Sequence, residues 1–415
     1  MSAGVMQPTA LVPSTAHLAL PFFDAAHRDI ATRLPDWANA QAVDERDDRA
    51  ACRDWVRRLG DGGWLKYCVA AGHGGALPAL DSRALVVLRE TLAFYSPLAD
   101  FAFAMQGLGS GAISLAGTPA QQAAYLPAVA RGDKIAAFAL SEPDAGSDVA
   151  AMQLRASAAR PDCVVGESDG ELMLDGRKTW ISNGGIADFY CVFAKTDPQA
   201  GSRGITAFIV DRGTPGLDDS GHITVMAPHP LAELVFTRCC IAADQQLGEL
   251  NGGFKLAMQT LDIFRASVAG AALGMARRAL AEGVHHARQR RMFGQTLADF
   301  QLTQAKLGEM AALIDAAALL TYRAAWMRDT QQGTPKERSV AAKHQKDCSV
   351  AAAMAKMTAT ENAQRVIDMA LQLHGGLGVK VGTKVESLYR DIRSLRIYEG
   401  ATEVQQLIIG KAVLT

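Results

Sequence analysis

The chain lacks the cysteine patterns of metal sites and of disulfide frameworks. Its seven cysteines are odd in number and scattered, no two of them have CxxC spacing, and no set of histidines accompanies them. This usage is typical of a reduced cytoplasmic compartment and argues against a structural zinc site. We therefore expect a cytoplasmic protein that binds no metal.

Several nucleotide-binding and membrane signals are also missing. No Walker A or HExxH motif occurs, and residues 376–381 begin like a dinucleotide fingerprint but lack its third glycine. That run also follows a predicted helix, whereas a Rossmann site follows a strand. No apolar run is long enough to span a bilayer. The residues before Arg28, the first Lys or Arg of the chain, do not resemble a signal peptide.

The chain has almost no net charge, with 42 Lys and Arg residues against 43 Asp and Glu residues. This balance creates no long-range field toward nucleic acid or an anionic membrane, so any anionic ligand must be held by a local site. The length of 415 residues is enough for roughly two or three domains.

Hydrophobic periodicity divides the chain into three segments. Apolar residues recur at helical spacing from about residue 22 to 132, and short β-rich runs follow to about residue 244. Helical spacing then returns in long elements predicted at 254–291, 299–330, 337–373 and 402–412. We predict a mainly α protein with a β insert, made of an N-terminal helical domain (1–134), a middle antiparallel β-domain (135–245) and a C-terminal helical bundle (246–415).

Turn-forming dipeptides punctuate the middle segment. The predicted strands are 135–140, 171–174, 178–181, 189–194, 205–210 and 233–236. The predicted turns lie at residues 169–170, 175–176, 183–185 and 215–216. A further break is predicted at 331–335, between two long helices, and the first twenty residues are expected to be loosely ordered.

Two motifs in the middle segment could contact a planar or phosphorylated ligand. In residues 138–148, a strand end feeds a turn whose small residues expose backbone N–H groups, although a plain loop capped by Ser147 or Asp148 fits the same pattern. Trp180 and Ser182 stand two apart, hence on one face of a strand, where they could cover a flat cofactor. A core tryptophan is the alternative.

Two further motifs lie in the C-terminal segment. Arg290 ends a long predicted helix just before Phe293-Gly294, where it could clamp a pyrophosphate or simply complement the helix dipole. The run Tyr398-Glu399-Gly400 places one carboxylate among apolar neighbours, and a desolvated Glu is a competent base. A helix-ending turn is the alternative for this second motif.

Taken together, in this order and spacing, the motifs closely resemble the acyl-CoA dehydrogenase family from about residue 20 onward. The resemblance rests on the Glu-Pro-x-Ala-Gly-Ser-Asp run at 142–148, the Arg-x-x-Phe-Gly turn at 290–294, the Gln372-x-x-Gly-Gly turn and the interval from there to Glu399. It implies an N-terminal helical domain, a middle β-domain and a C-terminal four-helix domain. It also implies non-covalent FAD and oxidation of an acyl-CoA thioester to the trans-2-enoyl-CoA.

The resemblance assigns roles to individual residues. Glu399 would remove the substrate α-proton while a hydride leaves the β-carbon for flavin N5. The backbone N–H of Glu399 and a flavin ribityl hydroxyl would polarise the thioester carbonyl. Implied cofactor contacts are Phe138, Leu140, Ser141, Ser147, Trp180, Ser182, Arg290, Phe293, Gln301, Gln372, Gly375, Gly376, Ala401, Thr402 and Glu403. Implied substrate contacts are Ser147, Asp262, Arg265, Tyr398 and Gly400.

The resemblance also implies partners. Five of the implied cofactor contacts would reach the FAD of a neighbouring subunit, namely Arg290, Phe293, Gln301, Gln372 and Gly376. Such sharing requires at least a dimer and is typical of a homotetramer. Electron-transferring flavoprotein would accept the electrons. Two alternatives remain: an acyl-CoA oxidase that passes electrons to oxygen, and a catalytically silent acyl-CoA-binding homologue.

The chain departs from the family pattern at several positions. Phe264 stands where some members carry the base instead, so Glu399 has no competitor. Residues 225–229 replace a Gly-x-Arg-x-Ser segment, and residues 401–403 read Ala-Thr-Glu where medium-chain members have Thr-Ser-Gln. Asp262 and Arg265 have the spacing of an ordinary helical ion pair. The acyl group stays open, because it depends on the helix around 101–111, where Phe101, Phe103, Met105 and Gln106 are the candidate lining residues.

Overall fold

The computed structural model describes residues 11–158, 164–165, 168–169, 172–330 and 338–414. Its N-terminal part is helical, as the spacing of apolar residues predicts. The helices are α1 (Ala25–Asn39), α2 (Asp48–Asp61), α3 (Ser82–Tyr95), α4 (Pro97–Ala116) and α5 (Pro119–Arg131). The side chains of Asp81 and Ser96 accept hydrogen bonds from the first turns of α3 and α4 and so fix where these helices begin.

The middle part is a sheet whose central strands are buried. Its elements are β1 (Ala136–Ala139), β2 (Arg155–Ala158), β3 (Val164–Val165), β4 (Ser168–Asp169), β5 (Leu172–Ser182), β6 (Phe189–Lys195), β7 (Ile205–Asp211), β8 (Leu217–Ile223), β9 (Leu231–Ile241) and β10 (Gln246–Leu247). Among the described residues, the main sheet has the order β10-β7-β6-β2-β5-β9-β8, with β1 also paired to β6, while β3 and β4 form a small hairpin. Strand β6 is buried along its whole length.

Two details of the predicted β segment are wrong. The sheet is not wholly antiparallel, because β1 runs parallel to β6 and Arg155 of β2 pairs in parallel with Lys195. The long connections between these strands allow such crossovers. No turn occurs at Asp175-Gly176: β5 continues through a register shift, and Asp175 accepts a hydrogen bond of 2.8 Å from the N–H of Arg238 in β9. A bulge therefore replaces the predicted turn.

The C-terminal part consists of long helices, as predicted. It contains α6 (Gly253–Gln289), the hairpin of β11 (Arg291–Met292) and β12 (Gln295–Thr296), α7 (Gln301–Thr330), α8 (Arg338–His374), α9 (Lys384–Leu395) and α10 (Thr402–Val413). Helix α9 was not predicted. The three long helices pack on one another, and α9 and α10 pack against α8. The acyl-CoA dehydrogenase fold implied by the resemblance is thus confirmed.

Three predicted features lie wholly or partly outside the described residues. The break at 331–335, part of the turn at 169–170 and half of the loosely ordered N-terminus lie where the structure describes nothing. Within the described ranges, no helix is both long enough and apolar enough to cross a bilayer.

Helices α3 and α6 cross at close range and join the N-terminal and C-terminal parts. A Cβ atom added to Gly274 would lie 2.1 Å from the carbonyl oxygen of Glu90, which is a backbone atom and cannot swing aside. The same junction holds an ion pair of 2.5 Å between Arg277 and Glu90, and Tyr322 of α7 donates to that carboxylate at 2.8 Å. Glycine is therefore required at position 274, because any Cβ atom would meet this backbone oxygen.

We expect Gly274→Ala to destabilise the protein by about 1–3 kcal/mol, because the added methyl group forces α3 and α6 apart. Gly308→Ala is the matched control, since Gly308 lies at an exposed position of α7 and no atom lies within 4 Å of its added Cβ. That change should be neutral or stabilise by up to about 1 kcal/mol. Melting temperatures of the FAD-loaded proteins test this, and equal melting of the two variants would contradict the packing argument.

Candidate active site

The loop between α9 and α10 holds the predicted base in an unusual backbone conformation. Glu399 has φ of +52° and Gly400 has φ of +90°. The φ of Gly400 favours glycine, and a Cβ atom at this position would also lie 2.4 Å from Nε2 of Gln405. The N–H of Glu399 has no acceptor among the described residues. Strain of this kind is concentrated at functional sites, which favours a catalytic loop over a simple turn.

The carboxylate of Glu399 is the least satisfied acidic group of the described site. Its Oε2 atom is buried and has no hydrogen-bond partner among the described residues. Burial raises the pKa of Glu399, and the positive charges of Arg89, Lys356 and Arg265 oppose that increase. These cations come from α3, α8 and α6, so three separate helices set the basicity of one carboxylate.

A buried ion pair supports this cluster. Arg89 donates to both carboxylate oxygens of Asp100 on α4, at 2.8 and 3.0 Å, and also to Oγ of Ser267 on α6, at 3.0 Å. The two charged side chains are only 2% and 3% exposed. Burial raises the pKa of Asp100, although the guanidinium beside it acts in the opposite direction. The pair fixes α3, α4 and α6 relative to one another near the base.

A second buried ion pair shapes the predicted cofactor loop. Nζ of Lys178 lies 2.8 Å from the Glu142 carboxylate and donates to the Leu140 carbonyl at 2.9 Å. Burial lowers the pKa of Lys178 to about 8, against the influence of Glu142. The pair holds the loop against β5 and leaves Ser147 exposed and Ser141 partly exposed. Sequence reasoning missed this pair, because Lys178 follows Asp175 and Arg177 in a mixed polar segment that gives no sign of burial.

Trp180 and Ser182 lie where a flat ligand could contact them. Trp180 is 56% exposed and has φ of +58° at a bulge of β5, so it is not a core tryptophan. The hydroxyl of Ser182 lies 3.0 Å from Nε2 of His229, in the loop that departs from the family pattern. Burial lowers the pKa of His229 to about 3, which keeps it neutral. Its ring contacts that of Phe101, with centroids 3.7 Å apart. Sequence reasoning also missed His229.

The remaining predicted flavin contacts lie on β1, at its end, or at the start of α10. Phe138 is partly buried and packs against Phe193, with ring centroids 4.9 Å apart, and Leu140 is buried. The hydroxyl of Thr402 donates to Glu361 at 2.6 Å, so that side chain is already engaged. Ala401 precedes α10 and Glu403 lies in its first turn.

A separate cavity of about 620 Å³ gathers most of the residues predicted to serve a neighbouring subunit. Arg290, Gln372, Gly375 and Gly376 line it, together with His286, Lys306 and His374. The rings of His286 and His374 stack with centroids 4.3 Å apart. Phe293 and Gln301 are not lining residues; Phe293 is 87% exposed. None of the lining residues belongs to β5 or to the base loop, so the cavity is distinct from the Glu399 site of the same chain.

Asp262 and Arg265 form the ordinary ion pair that their spacing allows. Nη1 of Arg265 lies 2.7 Å from Oδ1 of Asp262, and Oδ2 of Asp262 accepts from Ser349 at 2.8 Å. Nε of Arg265 is buried without a partner among the described residues. The geometry thus supports the ion pair and leaves one donor of Arg265 available for a ligand.

The described residues fit FAD at two places and an acyl-CoA substrate at a third. An exposed tryptophan face and the Ser182 hydroxyl suit an isoalloxazine ring, and the cavity with Arg290 and Lys306 suits a diphosphate. Near the base, the free N–H and the unpaired Oε2 of Glu399 suit a substrate carbonyl and its α-proton. No group of three or more His, Cys, Asp or Glu side chains in the described ranges could hold a metal ion.

Comparison with protein families gives three consecutive matches. The acyl-CoA dehydrogenase N-terminal domain matches residues 23–133, the middle domain residues 137–239 and the C-terminal domain residues 251–414. Similar curated proteins include 3-(aryl)acrylate reductase of Clostridium sporogenes, 36% identical over 95% of this chain and 100% of that protein. The short-chain-specific acyl-CoA dehydrogenase of Megasphaera elsdenii is 40% identical over 72% of this chain and 73% of its own length.

A third relative and two solved structures complete the comparison. The caffeyl-CoA reductase-Etf complex subunit CarC of Acetobacterium woodii is 35% identical over 83% of this chain and 84% of its own length. Butyryl-CoA dehydrogenase from Megasphaera elsdenii superposes with a TM-score of 0.82, at 32% identity, over 95% of this chain and 99% of that chain. An acyl-CoA dehydrogenase from Bacillus anthracis complexed with FAD superposes with a TM-score of 0.83, at 29% identity, over 94% of this chain and 67% of that chain.

These matches cover nearly the whole chain and agree with the fold and with the fit of the described residues to FAD. The chain therefore belongs to the acyl-CoA dehydrogenase family of FAD-dependent oxidoreductases that act on CH–CH bonds.

Proposed function

We propose that the protein oxidises an acyl-CoA thioester to the trans-2-enoyl-CoA and that Glu399 removes the α-proton. The observation that carries this proposal is the buried, unpartnered Oε2 atom of Glu399. A buried carboxylate without a hydrogen-bond donor is costly to keep unless a ligand satisfies it. A substrate whose α-proton is acidified by its thioester would use this free oxygen as the proton acceptor.

The residues around Glu399 contribute to proton removal in different ways. Burial makes the carboxylate a stronger base, and the cations Arg89, Lys356 and Arg265 keep enough of it ionised to act. The free N–H of Glu399 would donate to a thioester oxygen and so make the α-proton more acidic. When bound, FAD supplies the two-electron acceptor for the β-hydride.

We propose that two subunits share each FAD. Phe138, Leu140, Ser141, Trp180 and Ser182 would hold the flavin end within one subunit, whereas Arg290, Gln372, Gly375 and Gly376 would hold the diphosphate end of the neighbour's cofactor. Support comes from the separation of the 620 Å³ cavity from the Glu399 site of the same chain. This arrangement needs at least a dimer, and a homotetramer is the assembly we propose.

We propose that the acyl group is short or flat. The ring of Phe264, which is 1% exposed, packs into notches at Gly107 and Gly111 of α4, where added Cβ atoms would lie 2.6 and 3.2 Å from it. It therefore fills space between α4 and α6. Gln106 does not face a pocket, because its side chain bonds the backbone of Lys134 and Ala136 at 2.8 and 2.9 Å. A screen of flavin bleaching across acyl-CoAs of increasing length tests this.

The reverse reaction, reduction of an enoyl-CoA, is a second candidate that the comparisons favour. A relative that aligns over its full length is named 3-(aryl)acrylate reductase, and another is part of a caffeyl-CoA reductase-Etf complex. The same carboxylate, with its raised pKa, would then return a proton to the α-carbon. The Etf in the second name supports electron-transferring flavoprotein as the redox partner.

One set of assays separates the remaining alternatives. With an acyl-CoA that bleaches the flavin, reduction of electron-transferring flavoprotein without oxygen uptake supports a dehydrogenase. Rapid oxygen uptake would identify an oxidase instead. A colourless protein, or one whose flavin no acyl-CoA and no enoyl-CoA affects, would identify a silent homologue.

We expect Glu399→Gln to keep FAD and to bind acyl-CoA but to slow flavin reduction by several orders of magnitude, roughly 10⁴-fold, because the amide cannot accept the α-proton. Anaerobic stopped-flow absorbance of the bound flavin measures this rate. Glu249→Gln is the control, since Glu249 is exposed and lies outside the site. Turnover by Glu399→Gln within about tenfold of the wild type would rule out its role as the base.

We expect Arg290→Ala to lose FAD before it affects the chemistry, because it removes a cation from the cavity. Loss of one charge-assisted contact should weaken FAD binding by about 10- to 100-fold. Flavin content after dilution and gel filtration measures this, while the rate of flavin reduction at saturating FAD should stay close to that of the wild type. Arg288→Ala, an exposed change two residues earlier at the end of α6, is the control. Unchanged flavin content in Arg290→Ala would contradict the proposed contact between Arg290 and the diphosphate of FAD.

A further inference from the structure

The carbonyl oxygen that follows the base is held by two buried donors. Nζ of Lys356, in the middle of α8, lies 2.7 Å from the carbonyl oxygen of Gly400. Nε2 of Gln405, on α10, lies 2.9 Å from the same oxygen. Both donor side chains are 0% exposed. A lysine that is fully buried costs considerable free energy, so its position in contact with the base loop requires an explanation.

The hydrogen bond alone does not explain the choice of lysine. Gln405 already donates to the Gly400 carbonyl, and a neutral side chain at position 356 could supply a second donor without burying a charge. What only a cation adds is an electrostatic interaction with the nearby carboxylate. The charged groups that face Glu399 are Arg89, Lys356, Arg265 and Asp100.

The charged neighbours of Lys356 show the same interaction from the side of the lysine. Burial is the largest influence and lowers the pKa of Lys356 to about 8, while Glu399 is the strongest opposing charge. Arg265 repels the ammonium group, and Glu361 and Glu403 attract it more weakly. The ammonium group therefore retains its proton at neutral pH, and Glu399 contributes most to that among its charged neighbours.

We propose that Lys356 is a positioning residue for the base: its ammonium group holds the Gly400 carbonyl and supplies one of the three positive charges that keep Glu399 ionised in a dry site. This inference rests on the proposed function of Glu399. It assigns to one side chain both the geometry of the strained loop and part of its electrostatics. Gln405 is neutral and contributes only its hydrogen bond to the Gly400 carbonyl.

The two donors to one carbonyl provide a matched pair of variants. Lys356→Met removes a donor and a charge, whereas Gln405→Leu removes a donor from the same oxygen and leaves every charge in place. The measurement is the anaerobic rate of flavin reduction by a saturating acyl-CoA across pH, with flavin content and melting temperature recorded for each protein. Lys356→Arg tests rescue by a retained charge, and exposed Lys255→Gln is the control.

The sign of the expected effect follows from the loss of a positive charge beside a carboxylate. In Lys356→Met the pKa of Glu399 rises further, so the pH at which flavin reduction is half-maximal should move up by about one unit or more. Below that midpoint the rate should fall about tenfold relative to the wild type. The difference in rate between Lys356→Met and the wild type should narrow above about pH 8, because Lys356 of the wild type loses its own proton there. Gln405→Leu should lower the rate at all pH values without moving the midpoint.

An unshifted midpoint in Lys356→Met would overturn the proposal, and so would an equal shift in Gln405→Leu. Lys356→Gln is a second charge-free variant in case Lys356→Met does not retain FAD, and the same shift is expected of it. Lys356→Arg should restore the midpoint even where it lowers the rate. A wild-type protein whose flavin no acyl-CoA bleaches would instead overturn the proposed function and this inference with it.

Discussion

The structure depends on one buried carboxylate whose charge is balanced by cations from three helices. Glu399 lies in a left-handed turn, its Oε2 has no partner among the described residues, and Arg89, Lys356 and Arg265 oppose the rise of its pKa on burial. Burial without the cations would leave the acid protonated, and the cations without burial would leave a weak base. The site therefore requires that α3, α6 and α8 meet at a fixed distance.

The packing of the fold provides that fixed distance. Small residues such as Gly274 let α3 and α6 approach closely, and the buried pair of Arg89 and Asp100 joins α3 to α4. Such a pair contributes little net stability, because desolvation offsets much of the attraction. Its value here is geometric, since it places the Arg89 guanidinium near the base with no freedom to rotate away.

The sequence predicts the architecture well and the electrostatics poorly. Helical spacing placed α6, α7 and α8 within a few residues of their bounds, and the motif around Glu399 identified its loop. The pairs Lys178–Glu142 and Arg89–Asp100 could not be predicted, because each joins residues that approach only after the chain has folded. His229 was visible only as a departure from a family pattern. Its contact with Ser182 depends on how the loop at 225–229 folds back on β5.

The central claim is that Glu399 exchanges a proton with the α-carbon of an acyl-CoA. The most direct measurement is the uptake of deuterium at that carbon from D₂O, followed by mass spectrometry under anaerobic conditions without an electron acceptor. The wild type should introduce deuterium at the α-position, and Glu399→Gln, with its FAD still bound, should introduce none above the uncatalysed rate. Exchange by Glu399→Gln at the wild-type rate would contradict the account.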